Sequence, residues 1–297
     1  MSVNLEKIMS GLEAQQAIVK EIGYNDYFEF CKKEIHMDHK HIGEWNYGFL
    51  ELLHSMFDLG NKRCLDIGCA AGTTTKIMND FVNNVSYGCD INPRIIEASP
   101  FKEIKDKLFC IESTELSKHF DVDSFDLVQS HVTFEHFPNW KYSIKVAKEI
   151  NKVLKSNGIF FCILDCGEHQ TVEQLVERQK KDRNLDVTHV NMWPRQRWID
   201  LFTKLGLTNI SDIVCPMVGC FISTKARFAY YHEYQSGWGM FCFIKGDYNI
   251  ALSEIYPRFS GLLQRQKDFK NIKEIYKVCL DQLPCNPIMK TEIAKWL

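Results

Sequence analysis

The sequence predicts an α/β fold: a sheet with helices on both faces, and further helices added at both ends of the chain. Three observations predict it. From Arg63 onward, short apolar runs alternate with helical segments, the grammar of a parallel sheet with crossover connections. Before residue 60 and after Asp247, apolar residues recur at three- and four-residue steps instead. The composition, 45% hydrophobic and 25% charged over 297 residues, is that of a globular chain able to bury a full core.

At the N-terminus, Ile18, Val19 and Ile22, then Phe49, Leu50, Leu53, Met56 and Phe57, keep helical spacing, so residues 1–60 are expected to form a helical cap. Between these helices His36, His39, His41, Trp45 and Tyr47 crowd a polar segment that reads as a solvated loop or as a lid. Strands are expected at Arg63–Ile67, Val85–Asp90, 108–111, 125–130 and 158–164. Pro138 and Gly158 bracket a helix over 139–155. Helices at 171–183 and 195–205, the second closed by Gly206, and strands near 207–215 and 240–245 complete a body spanning 61–247. Residues 248–297 read as a C-terminal helical extension.

Charge and cysteine usage exclude several function classes. The 36 basic and 38 acidic residues nearly cancel, so no strong positive field exists to hold an extended nucleic acid. The first residues lack the charged and apolar regions of a secretory signal, and the most apolar run, 158–164, is too short to span a bilayer. The chain is therefore expected in the cytosol. Its twelve cysteines are spread from Cys31 to Cys285, several within apolar runs, and read as reduced, packed thiols. The spacings of Cys162 with Cys166 and of Cys215 with Cys220 are too loose to argue zinc. A homo-oligomer is left open.

The most informative stretch runs Cys64-Leu65-Asp66-Ile67-Gly68-Cys69-Ala70-Ala71-Gly72-Thr73, a strand entering a small-residue turn and then a helix. Small residues let backbone amides approach a ligand, and the helix start offers unpaired N–H groups. Asp90 ends the next strand, where an acid can accept from ribose hydroxyls. A dinucleotide site would want G-x-G-x-x-G, and this turn lacks two of those glycines. Asp66 would repel a pyrophosphate and suits a cationic amino-acid tail.

On these residues the chain resembles the class I S-adenosylmethionine-dependent methyltransferases, whose first motif is D/E-x-G-x-G-x-G, here Asp66-x-Gly68-x-Ala70-x-Gly72. Phe109-Cys110-Ile111-Glu112-Ser113, Ser124-Phe125-Asp126-Leu127-Val128-Gln129-Ser130 and Glu135-His136 are similar to later segments of the family, and the likeness covers about residues 60 to 245. The resemblance implies a Rossmann-like sheet and S-adenosylmethionine as cofactor. It implies Asp66, Gly68, Cys69, Ala70 and Gly72 at the methionine end, Asp90 and Ile91 at ribose and adenine, and Glu112, Ser113 and Ser130 on the adenine side. Some members use E-x-x-E-H after the fourth strand to hold a divalent metal. Val132 stands where the first Glu would be, so a metal with Glu135, His136 and His189 is admitted but not favoured.

A hydroxyl acceptor needs its proton removed as methyl transfer proceeds, a role most often filled by histidine. His131, Glu135, His136 and, across the cleft, His189 are the catalytic candidates. Trp193, Trp198, Phe228, Tyr230, Tyr231, His232, Tyr234 and Trp238, with Asp165, Glu168 and His169, would suit a polar ring such as a sugar or nucleotide-linked sugar, or equally a sheet core. The expected reaction is O-methylation of a small polar intermediate of carbohydrate biosynthesis. N-methylation of a small amine and a non-catalytic S-adenosylmethionine-binding protein are the alternatives.

Overall fold

The computed structural model describes residues 10–33, 50, 53–54, 57–81, 85–181, 188–211 and 238–247. Two N-terminal helices, α1 (Gly11–Glu21) and α2 (Tyr27–Lys33), precede the sheet. The body follows as β1 (Arg63–Ile67), α3 (Thr73–Phe81), β2 (Val85–Asp90), α4 (Pro93–Glu97), β3 (Leu108–Cys110), α5 (Leu116–His119), β4 (Phe125–His131), α6 (Trp140–Val153) and β5 (Leu154–Asp165). It ends with α7 (Val172–Lys181), α8 (Arg195–Lys204), β6 (Leu207–Asn209) and β7 (Trp238–Lys245).

The seven strands lie in the order β3-β2-β1-β4-β5-β7-β6. The first five pair in parallel, and β7 enters antiparallel between β5 and β6. Chain order reverses at β1, which pairs with β2 on one side and β4 on the other. Connections leave that point in opposite directions and open a crevice at the carboxyl ends of the strands, where open α/β sheets take ligands.

Both faces of the sheet are covered, as a parallel sheet requires. Leu65 and Ile67 of β1 join Val128 and Phe160 in one core with Val146 and Ile150 of α6 and Trp198 and Phe202 of α8. The alternate residues of β1 face α3, where Thr75 Oγ1 donates to the Asp66 carboxylate at 3.0 Å. The late aromatic Trp198 is thus core, fully buried. The eight described cysteines are free thiols.

Several boundaries differ from the sequence-based expectation. β5 begins at Leu154, not 158: Phe125 pairs with Leu154, and regular pairing resumes at Leu127 with Ile159 after an irregularity. Residues 155–158 look like a turn, and Asn157 does take φ 62°, yet the strand runs through them. α6 starts after Asn139, whose side chain caps it by accepting from the Tyr142 N–H at 3.0 Å. β3 stops at Cys110, β4 extends to His131, and β6 is described only to Asn209 as a three-residue strand. The histidine-rich segment at 36–47, the aromatics Phe228, Tyr230, Tyr231, His232 and Tyr234, and the extension at 248–297 lie outside the described residues.

Candidate active site

The glycine turn after β1 is built by backbone conformations that side chains resist. Gly68 has φ 73°, and a Cβ there would stand 2.2 Å from Thr133 Oγ1. Gly72 has φ 91°, with Leu108 methyls 2.9 Å from any added Cβ. Ala70 takes φ 47°, unusual for a residue with a side chain. The amides of Gly68 and Cys69 both donate to the Cys89 carbonyl, at 2.8 and 3.0 Å, tying the turn to the end of β2. Asp90 then locks the two together: one carboxylate oxygen accepts from the Ala70 N–H at 3.1 Å, the other from the Asn92 N–H at 2.9 Å.

Above this turn lies an open cleft at the carboxyl ends of the strands. Gly68, Ala70, Asp90, Ile91 and Ser113 line it from the first half of the sheet; Val132, Thr133, His136 and Phe137 line it from the segment after β4. Gly11, Gln15, Tyr27 and Cys31 of the N-terminal helices and Tyr142 of α6 close the remaining sides. Val132 has φ 52°, an outlier for a β-branched residue, and strain of this kind gathers at ligand sites.

The remaining sequence-predicted cofactor residues do not line the cleft. Asp66 is 2% exposed, and its two oxygens accept from Thr75 and from the Gln129 amide at 3.0 Å each. Desolvation raises its pKa to about 6, against those two hydrogen bonds, which lower it. Cys69 packs against Ile96, Ile104 and Leu108, and burial pushes its thiol well above the ordinary range. Ser130 is buried and donates to the Ile67 carbonyl at 3.1 Å. Glu112 is turned toward α1: one oxygen accepts from Ser10 Oγ at 2.9 Å and from the Gly11 N–H at 3.2 Å, the other from the Tyr142 hydroxyl.

Three of the four catalytic candidates converge at the far end. His136, 9% exposed, ends the 3-10 turn Phe134–His136; its Nδ1 lies 2.8 Å from Thr188 Oγ1, and its ring stands edge-on to that of His189 at 4.7 Å. His189 Nδ1 is 3.3 Å from the Asp165 carboxylate at the end of β5. Glu135 lies beneath, fully buried, with one oxygen accepting from the Asp165 N–H at 3.0 Å. Desolvation raises its pKa to about 7, partly offset by His189. For His131, which ends β4 and keeps some solvent contact, desolvation lowers the pKa to about 3, which leaves a weakly basic imidazole. Among the described residues no three His, Cys, Asp or Glu side chains are arranged to hold a metal ion.

Sequence reasoning missed Gln15, Tyr27, Tyr142, Val132 and Thr133. The findable signal was Gln15, a polar residue on the α1 stripe that carries Ala14, Ile18 and Val19. Its side chain is 1% exposed; the amide nitrogen donates to the His136 carbonyl, and the amide oxygen is buried without a hydrogen-bond partner.

These features fit an adenosyl amino acid. Asp90 lines the cleft at the carboxyl end of β2, where a carboxylate can accept from ribose hydroxyls. Ala70 and Gly68 bring bare backbone to the cleft, and the orphaned Gln15 oxygen asks for a donor. No described helix is long and apolar enough to cross a membrane.

A family model described as a methyltransferase domain matches residues 37–212, more than half of the chain. No curated protein sequence matches significantly. Among solved structures, a chain of the Haloferax volcanii complex between the Trm112 methyltransferase activator and a methyltransferase is 17% identical, with 73% of this chain and 96% of that one covered and a TM-score of 0.49. Haemonchus contortus phosphoethanolamine N-methyltransferase 2, solved with phosphomonomethylethanolamine and S-adenosylhomocysteine, is 15% identical over 73% of this chain and 59% of its own, with a TM-score of 0.48. Geranyl diphosphate C-methyltransferase from Streptomyces coelicolor is 13% identical over 66% and 76%, with a TM-score of 0.45. By the family match over residues 37–212, the chain belongs to the methyltransferase-domain family and is a class I S-adenosylmethionine-dependent methyltransferase.

Proposed function

We propose that this methyltransferase acts on an oxygen of a small polar molecule, with His136 as the base. The observation that carries the reading is the supported imidazole on the cleft wall: His136 Nδ1 is 2.8 Å from Thr188, its ring stands against His189, and His189 is held by Asp165. A base oriented by a second group, itself oriented by a third, is the arrangement that activates a hydroxyl. An amine nucleophile with a free lone pair needs less of it.

In this reading Asp90, Ile91 and Ser113 seat the adenosine half, and the backbone of Gly68 and Ala70 makes room for the amino-acid half. Asp66, Cys69, Gly72, Ser130 and Glu112 hold the frame that carries those contacts. When bound, S-adenosylmethionine supplies a methyl group already activated by its sulfonium. Val132, Thr133 and Phe137 line the cleft where the reacting groups would meet and would restrict the orientation of the acceptor. In the tautomer whose Nδ1–H donates to Thr188, His136 would take the acceptor's proton at Nε2. Glu135, close to half-ionised near neutral pH, and Asp165 with His189 favour the imidazolium that results. The polar side chains Tyr27 and Thr133 on the cleft wall support a polar acceptor, a sugar or nucleotide-linked sugar first.

The test is transfer of a labelled methyl group to sugars, nucleotide sugars and, in parallel, small amines, with the modified atom located by mass spectrometry. The expected product is a methyl ether whose formation falls about 10²- to 10⁴-fold in His136→Asn. A methylated amine formed at an undiminished rate by His136→Asn would replace this reading with N-methylation.

A further inference from the structure

We propose that Gln15 of α1 receives the ammonium group of the cofactor's amino-acid end. The inference rests on the cofactor seating proposed above. Asp66, the acid beside the glycine turn, has both oxygens committed to Thr75 and Gln129 in the interior and does not line the cleft. A cationic tail placed beside Gly68 needs an oxygen from elsewhere. Asp90 stands at the end of β2, where the ribose is seated, and already takes the Ala70 and Asn92 N–H groups.

Gln15 is on the cleft wall and 1% exposed. Its amide nitrogen donates to the His136 carbonyl, and because a carbonyl can only accept, this bond fixes which end of the amide is oxygen. That oxygen is buried without a hydrogen-bond partner. A buried acceptor left unmatched is costly, and a cationic N–H donor is the partner that rewards it most. The rest of α1 is anchored on both sides of this residue. Ser10 and Gly11 hold Glu112 before it, and Val19, one turn beyond, packs with Ala71 and Ile95. The helix therefore presents Gln15 from a fixed position beside the base-bearing turn.

The experiment is calorimetric titration of the full chain with S-adenosylhomocysteine and with methylthioadenosine, which shares the adenosine and sulfur but has no amino-acid end. Wild-type protein should bind the first more tightly. In Gln15→Met that preference should shrink by about 10- to 100-fold, the range for a hydrogen bond to a charged group, while methylthioadenosine binds as before. Unchanged methylthioadenosine binding shows that the Met variant is folded, and Gln15→Leu, which also lacks the oxygen, should show the same loss of preference and covers the case in which the Met variant does not fold. Ser10→Ala, which loosens α1 without touching the tail, should weaken both ligands by the same factor. If Gln15→Met also weakens both equally, Gln15 only anchors the helix and the proposal is overturned. If wild-type protein binds neither ligand, the cofactor seating itself falls, and the proposal falls with it.

Discussion

The end of the cleft around Gly68, Ala70 and Asp90 is made of backbone, whereas the end around His136 is made of ionisable side chains drawn from three separate segments. At the first end the chain conformation itself is the functional object: positive φ at Gly68, Ala70 and Gly72, and amides tied to Cys89 and Asp90. At the second, Glu135 and His136 follow β4, Asp165 ends β5, and Thr188 and His189 come from the loop before α8. The contrast teaches which perturbation each end should feel. A backbone-built site fails when a Cβ is added; a side-chain-built site tolerates volume and responds to charge and pH.

The sharpest break should come at the side-chain end. His136→Asn is expected to lower kcat on a hydroxyl acceptor by about 10²- to 10⁴-fold while leaving S-adenosylhomocysteine affinity nearly unchanged by calorimetry. A proportional loss of affinity would mean that the two ends are not separable.

At the backbone end, Gly68→Ala should cost about 2–5 kcal/mol of stability, from a strained φ and from overpacking against Thr133. Urea melts measure the cost, and the same variant should lose cofactor affinity. A melt indistinguishable from wild type would show that Thr133 can withdraw without consequence.

Burial of Glu135 gives a pH-dependent effect of similar or somewhat smaller size. Its pKa rises from 4.5 to about 7 on folding, so between those values the native state holds a proton that the unfolded chain has released. Stability from this group is therefore greatest below about pH 4.5 and falls as pH rises to about 7, by roughly 3 kcal/mol in all. Asp66, raised to about 6, acts in the same direction over a lower window. Glu135→Gln should melt with a flatter pH dependence than wild type between pH 5 and 8. Parallel curves would contradict the buried carboxyl.

The smallest effect belongs to Ala70→Gly. Relief of the positive φ and the added freedom of the unfolded chain oppose each other, each at about 1 kcal/mol. The midpoint should move by no more than a few degrees, with cofactor affinity kept. A large loss of affinity would show that the Ala70 methyl group itself contacts the ligand.

The same contrast explains what the sequence made legible. β1 and β2 end where the pattern places them, and the turn between β1 and α3 was readable because its residues are contiguous and each must be small. Asp66 was misleading for a physical reason. Its charge suggests a ligand contact, but strand alternation sets it opposite Leu65 and Ile67, facing Thr75 of α3. Glu112 likewise looked like an adenine contact, and only the docking of α1 turns it to Ser10 and Gly11. The early start of β5 depends on pairing of Leu154 with Phe125, which no local pattern of Lys155-Ser156-Asn157-Gly158 announces. The meeting of His136 with Thr188 and His189 joins residues about fifty positions apart, so it could be listed from sequence but not assembled.

The central claim is that the cleft at the ends of β1, β2 and β4 seats the cofactor through Asp90, with Asp66 serving only the frame. Calorimetric titration of S-adenosylhomocysteine into wild-type protein, Asp90→Ala and Asp66→Asn tests it most directly. The account predicts binding by wild type, loss of about tenfold or more in Asp90→Ala as a hydrogen-bonding carboxylate is removed, and near wild-type affinity in Asp66→Asn at a temperature where that variant is folded. Equal losses in the two variants, or binding that survives in Asp90→Ala, would contradict it.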